Sequence, residues 1–204
     1  MTDFLAVDTS SKYLTVVAKK GGTTVVNHLP ECAMRHSVIL MDEIEKTLKE
    51  AALSLNECHF FAAVTGPGSF TGIRIGLSTV KGFCVGTGKP SVAVTSFELI
   101  AYNVESLSPF GVAIDAMHGH YYFQTFSPGG TPLSDPAYVT GDEVQNSGLP
   151  LYGFEELPLE NYTRLEAGTC LQRAVMRSAK RGFSPLCALY VRKSQAEEAR
   201  SAHP

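Results

Sequence analysis

Two stretches of the chain read alike. FLAVDTSSKYLTVVA from Phe4 and GVAIDAMHGHYYFQTF from Gly111 each run strand, aspartate, short polar turn, strand. A repeated hairpin of this kind predicts two related halves. In the first half the turn residues are Asp8, Thr9, Ser10 and Ser11; in the second the matching aspartate is Asp115. With 204 residues the chain is long enough for one ordinary domain or two small ones around a real core.

Between and after the hairpins the apolar spacing sets out further elements. Strands are expected at 4–7, 13–18, 23–29, 60–65, 91–94, 111–114 and 121–126. Helices are expected at 36–52, from Thr71 or Gly72 to Val85, from Ser96 (as its own N-cap) to Val104, and at 166–181. Residues 141–145 read as a helical turn, and LCALYVRKSQAEEA as a last strand with a polar tail.

Two segments invite chemistry. A carboxylate at a strand end followed by hydroxyls, as in Asp8–Ser11, either sets a hydrated Mg²⁺ beside phosphate or closes a hairpin turn by bonding its own backbone. The stretch TGPGSFTGIRIGLSTVKGF, from Thr65, follows a strand and opens a helix, as anion loops do. It has no G-K-[ST] ending, and Gly72 falls one place too late for G-x-G-x-x-G. Small residues spread along this helix, with Ile75, Thr79 and Gly82 on one side and Ile73, Gly76, Leu77, Val80 and Cys84 on another. A helix apolar on more than one side must be covered on more than one side, by its own sheet and by a partner.

Other readings are narrowed by composition. The net charge is −3, from 17 Lys and Arg against 20 Asp and Glu. Neither a basic excess nor a basic stripe is read in the chain, so any RNA is expected to be held mainly by a partner. Cys32, Cys58, Cys84, Cys170 and Cys187 are odd in number and widely spaced, which fits free thiols rather than disulfides or zinc. No basic-then-apolar leader and no apolar run of about 20 residues is present, so a soluble cytoplasmic protein without a membrane partner is expected. No nucleophile elbow and no convincing acid–base pair occurs.

Five blocks in order, AVDTSSKYLTVVA, RHSVILMDEIEKTL, GPGSFTGIRIGLSTVKGF, AIDAMHGHYYFQTF and YVRKSQAE, resemble the TsaB (YeaZ) family over essentially the whole chain. The resemblance implies an α/β fold of the actin, sugar-kinase and heat-shock ATPase type, duplicated into two small domains with mixed sheets flanked by helices, here 1–102 and 103–204. It implies a role in forming N6-threonylcarbamoyladenosine next to the tRNA anticodon. The transfer belongs to the larger paralogue TsaD, and the ATPase TsaE joins the two; tRNA is met through the complex, and the chain alone can pair as a homodimer.

The paralogue's H-x-x-x-H metal pair aligns with Ser96 and Ile100, neither a good ligand. The second half has no glycine cluster of the kind that frames adenosine. A non-catalytic subunit without a cofactor of its own is therefore expected, ATP and Mg²⁺ entering only in the complex. Asp8, Thr9, Ser10, Ser11 and Asp115 would be a vestigial phosphate loop. The resemblance also places partner contacts on the first half's helices, at Ile39, Leu40, Glu43, Ile73, Arg74, Leu77 and Lys81. Met117 stands where the family's D-A-R-x-G-x-x-Y pattern has arginine. An ATPase of the same superfamily is the alternative, and a peptidase or a direct tRNA-binding module a weaker one.

Overall fold

The computed structural model describes residues 2–32 and 34–192. The repeat seen in the sequence extends to whole sheets. The first sheet is built from β1 (Phe4–Asp8), β2 (Leu14–Lys20), β3 (Thr23–Leu29), β4 (Phe60–Val64) and β5 (Ser91–Val94), in the order β3-β2-β1-β4-β5. The second uses β6 (Phe110–Asp115), β7 (His120–Phe126), β8 (Ala137–Thr140), β9 (Leu151–Gly153) and β10 (Tyr162–Arg164), in the order β8-β7-β6-β9-β10. Strand for strand the two orders coincide, and so do the directions. In each half the first strand pairs antiparallel with the second and parallel with the fourth. This is the duplication expected from the hairpins, in the α/β class that the resemblance implies.

The helices are α1 (His36–Glu50), α2 (Phe70–Thr87), α3 (Ser96–Ala101), α4 (Gly141–Gln145) and α5 (Leu171–Ala179). Several boundaries differ from the sequence reading for identifiable reasons. α2 starts at Phe70 because Ser69 caps it, accepting from Gly72 N at 3.2 Å, and it ends at Gly88 in a left-handed conformation. α3 is capped by Thr95 rather than Ser96. Glu98 N donates to Thr95 Oγ1 (3.0 Å) and Thr95 N donates back to Glu98 Oε2 (2.9 Å), a capping box that releases the Ser96 side chain. β8, β9 and β10 are too short to show a periodicity in the sequence.

No strand forms over residues 183–192. That segment is instead a strap, tied by Ser184 N to Ser91 O (2.8 Å) and by Leu189 N to Thr65 O (2.8 Å), with Leu186 buried. The polar tail and the YVRKSQAE block from Lys193 onward lie outside the described residues.

One face of the first sheet packs on α1 and α2, joining Leu5, Val16 and Phe61 to Leu40, Ile44, Ile73 and Val80. Its other face is covered by α5, far along the chain, through Leu171, Ala174 and Val175 against Phe4, Phe60 and Val92. α3 faces both ways. Leu99 and Tyr102 join the α5 cluster, while Phe97, Ile100 and Ala101 pack on Phe110, Val112 and Phe126 of the second sheet. The two hairpin turns are thereby brought to the two sides of one cleft.

Candidate functional site

The cleft between the halves has a volume of about 410 Å³, and its walls include Ser10, Ser11, Ser69, Ser96, Asp115 and Glu155. It collects both sequence-predicted turns. Asp8 is fully enclosed, and its Oδ1 accepts from Ser10 N (2.9 Å) and from Ser10 Oγ (2.7 Å). Burial raises the Asp8 carboxyl above its ordinary range, against the lowering effect of the two Ser10 bonds and the neighbouring Tyr13 hydroxyl. Asp115 repeats the motif, its Oδ1 accepting from Met117 N at 2.9 Å. Each aspartate closes its own turn by bonding the amide two residues on. Of the two readings open for Asp8–Ser11, the geometry supports the hairpin turn.

The glycines explain how that turn is seated. A Cβ on Gly68 would lie 2.1 Å from Ser10 O, one on Gly72 would lie 2.1 Å from Thr9 O, and one on Gly76 would lie 2.4 Å from Thr9 Oγ1. Thr9 Oγ1 donates to Gly72 O at 2.7 Å, and Ser69 N donates to Ser10 O at 2.7 Å. The loop amide that would face an anion thus grips the protein's own turn. Asp8 is enclosed and the Ser69 amide is bonded within the protein, while Ser10, Ser11, Gly68 and Ser69 still line the cleft. Gly76, placed above on one of the two sides of a helix expected to be covered twice, serves together with Gly72 the chain's own turn. Gly82 and Gly86 alone among the small α2 residues of this kind lie open, with nothing within 4 Å of a Cβ.

Ser96 and Ile100, at the positions aligned with the paralogue's histidines, are both buried. Ser96 Oγ reaches Ser10 Oγ at 3.4 Å, and Ile100 joins the apolar cluster under the second sheet. Among the described residues no group of three or more His, Cys, Asp or Glu side chains is placed to hold a metal. His36 is structural, its Nε2 2.9 Å from Tyr13 O, and His120 stacks on Tyr138 with ring centroids 4.7 Å apart.

Glu155 was not legible in the sequence. It follows β9 and reaches across the cleft, where Oε1 accepts from Ser11 Oγ (3.2 Å) and Oε2 from Asp115 N (3.0 Å). Burial, the largest influence, raises its carboxyl; the Asp115 amide bond opposes this and the Asp115 charge adds to it. The only sequence signal is an acidic pair, Glu155–Glu156, directly after the apolar LYGF.

The helix residues expected at a partner surface divide sharply. Leu40, Ile73 and Leu77 lie in the first half's own core, so their side chains are not available to another chain. Ile39 and Glu43 are half-buried, and Arg74 and Lys81 are exposed. Arg74 lies over the Phe70 ring at 3.7 Å and its Nε donates to the Tyr190 hydroxyl at 3.1 Å, pinning the strap to α2. The apolar side chains that do face outward on these helices are Val38 (73% exposed), Met41 (53%), Val85 (86%) and, under the Arg74 guanidinium, Phe70 (43%). The charge pattern also departs from expectation. α5 presents Arg173 and Arg177, followed by Lys180 and Arg181, on its exposed side, a basic stripe hidden by the acidic total.

Comparison with known proteins agrees with this architecture. The family model of TsaD, the tRNA N6-adenosine threonylcarbamoyltransferase, matches residues 8–198. The tRNA threonylcarbamoyladenosine biosynthesis protein TsaB of Escherichia coli (strain K12) is 29% identical over 125 residues, 60% of this chain and 54% of that protein. TsaB of Haemophilus influenzae is 31% identical over 123 residues, 58% of this chain and 51% of that protein. The chain therefore spans about half the length of the curated relatives it matches. The solved structure of YeaZ from Pseudomonas aeruginosa superposes with a TM-score of 0.79 at 20% identity, covering 93% of this chain and 100% of that one. No helix among the described residues is long and apolar enough to cross a membrane.

Proposed function

The chain belongs to the TsaD family, within which its curated relatives include both TsaB proteins and tRNA N6-adenosine threonylcarbamoyltransferases, and from that premise we propose that it is a non-catalytic subunit of the assembly that forms threonylcarbamoyladenosine on tRNA. The observation that carries this reading is the state of the aligned metal positions. A serine bonded to the Ser10 hydroxyl and an isoleucine packed in the core stand where the catalytic paralogue would need two ligands. The engaged glycine loop supports it further, because the amide nearest the turn is already bonded to Ser10 O.

In this reading a TsaD-type subunit docks on the exposed side of α1 and α2, with a TsaE-type ATPase joining the pair in the cytoplasm. Contacts would come from Ile39, Glu43, Arg74 and Lys81, together with Val38, Met41 and Val85. Gly82 and Gly86 would let the partner's backbone approach closely. A second copy of the chain can occupy the same surface when the partner is missing. The units 1–102 and 103–204 would act as the two halves around the cleft, with α5 fastening the second to the first.

Reconstitution tests this directly. Purified catalytic subunit, ATPase, threonylcarbamoyl-adenylate and tRNA transcript are combined with and without this chain, and the modified nucleoside is measured by mass spectrometry. Formation only with the chain present is expected; equal formation without it would refute the proposal. Calorimetry with Mg-ATP on the isolated chain separates the nucleotide-binding alternative, which requires micromolar binding.

A further inference from the structure

We propose that the exposed face of α5 is a contact surface for the phosphate backbone of transfer RNA. The inference rests on the reading above and deepens it, by naming where this subunit itself meets the nucleic acid. Between Leu171 and Gly182 the chain carries Arg173, Arg177, Lys180 and Arg181 and no acidic residue, although its net charge is −3. α5 buries Leu171, Ala174, Val175 and Ser178. Arg173, Arg177 and Lys180 follow at four- and three-residue spacing on the opposite side, one line about 10 Å long.

The charges are available and held in place. The Arg177 guanidinium lies over the Tyr102 ring, 4.2 Å from its centroid, and donates to the Gly129 carbonyl. Arg181 lies over the same ring at 5.5 Å and is neutralised by Glu98 at 2.5 Å, so it acts as a brace. Among the described residues neither Arg177 nor Lys180 has a carboxylate within 4.0 Å. Arg173 meets Glu105 only at 3.5 Å, between side chains 56% and 84% exposed, where an ion pair is weak. A guanidinium fixed on an aromatic ring presents its fork to phosphate oxygens with little ordering left to do. On a protein that is acidic in total, a line of cations of which only Arg173 has an acidic partner, and that a weak one, is where a polyanion gains most. An acidic protein partner fits less well, because Met176 is the one exposed large apolar side chain of the stripe, too little for a buried interface centre.

The test compares the wild-type chain with the triple variant Arg173→Gln, Arg177→Gln, Lys180→Gln, each in complex with the catalytic subunit and an unmodified tRNA transcript. Binding at about 0.1 M salt should weaken roughly tenfold or more, and the slope of log affinity against log salt should fall by about 2 to 3 for three lost phosphate contacts. In turnover the KM for tRNA should rise while kcat stays within about twofold. An unchanged salt slope and KM would overturn the inference. So would loss of complex formation by a variant with native circular dichroism, which would make the stripe a subunit interface. Loss of poly-glutamate binding with tRNA affinity intact would assign it to an acidic protein and overturn it as well. If the wild-type assembly makes no threonylcarbamoyladenosine, the functional reading falls, and the salt slope still decides the RNA contact.

Discussion

The carbonyl oxygen of Thr9 occupies the space that a side chain on Gly72 would need, 2.1 Å from the position of a Cβ. The Asp8 turn and the start of α2 are therefore one packed unit, and Gly72 is required by that contact rather than by a left-handed backbone. Gly72→Ala and Gly76→Ala should each cost about 1–3 kcal/mol through overpacking. Gly82→Ala, in an exposed part of the same helix with an open Cβ position, should stabilise by up to about 1 kcal/mol. Urea denaturation of the three variants checks the contrast, and equal effects at Gly72 and Gly82 would refute it.

Leu77 and Val85 share α2 but differ completely in surroundings, 5% against 86% exposed. Leu77→Asp should unfold the chain or cost more than about 3 kcal/mol, since it places a charge in the core. Val85→Asp should leave the thermal midpoint of the isolated chain within a few degrees and weaken association with a TsaD-type subunit in size-exclusion chromatography. A folded Leu77→Asp chain would contradict the packing described here.

Glu155 joins the two halves with a carboxyl raised by burial. A raised carboxyl means that the folded state binds its proton more tightly than the unfolded state. In the pH window between the ordinary glutamate value of 4.5 and the raised one, folding is favoured as pH falls, and that gain is lost as pH rises through the raised value. Asp8, also raised by burial, acts in the same direction. Glu57, lowered to about 2 by Lys20 and Ser54, acts oppositely, its contribution being lost as pH falls from 4.5 towards 2. Glu155→Gln should therefore match or exceed the wild type at pH 7 and lose ground to it as the pH is brought toward 5. Denaturation midpoints at the two pH values measure this; parallel pH curves for the two proteins would dismiss it.

The thiols should react very unequally. Burial pushes Cys58 up to about 12 and Cys170 to about 11, whereas Cys187 is exposed. Titration of the native protein with a thiol reagent at pH 8 should modify Cys187 first and leave Cys58 and Cys170 protected until denaturant is added. Peptide mapping identifies the sites, and early labelling of Cys58 would show that its pocket opens readily.

The hairpins were readable because a strand, an aspartate and a turn residue sit in fixed order, and the physics of an Asx-type turn is local. The same holds for the glycine-to-helix junction, whose residues are consecutive. What escaped was non-local. Nothing around Glu155 announces that it will bridge Ser11 and Asp115, because those partners meet it only after both sheets have formed. Apolar periodicity placed Leu40, Ile73 and Leu77 on helix faces but did not say which face the sheet would take. The basic stripe of α5 was masked by averaging charge over the whole chain, and the three-residue strand β9 carries too few residues for an alternation to appear.

The return of α5 to the first sheet has a consequence for synthesis. Phe4, Phe60 and Val92 are complete by β5, yet their cover, Leu171 to Val175, emerges from the ribosome much later. At ordinary translation speeds that interval is roughly 4–15 s. During it the nascent first sheet shows an apolar face to solvent and to any chaperone waiting at the exit tunnel. The chain's N-terminal half therefore matures only when its C-terminal helix arrives, so the two halves are coupled in time during birth as well as in space afterwards.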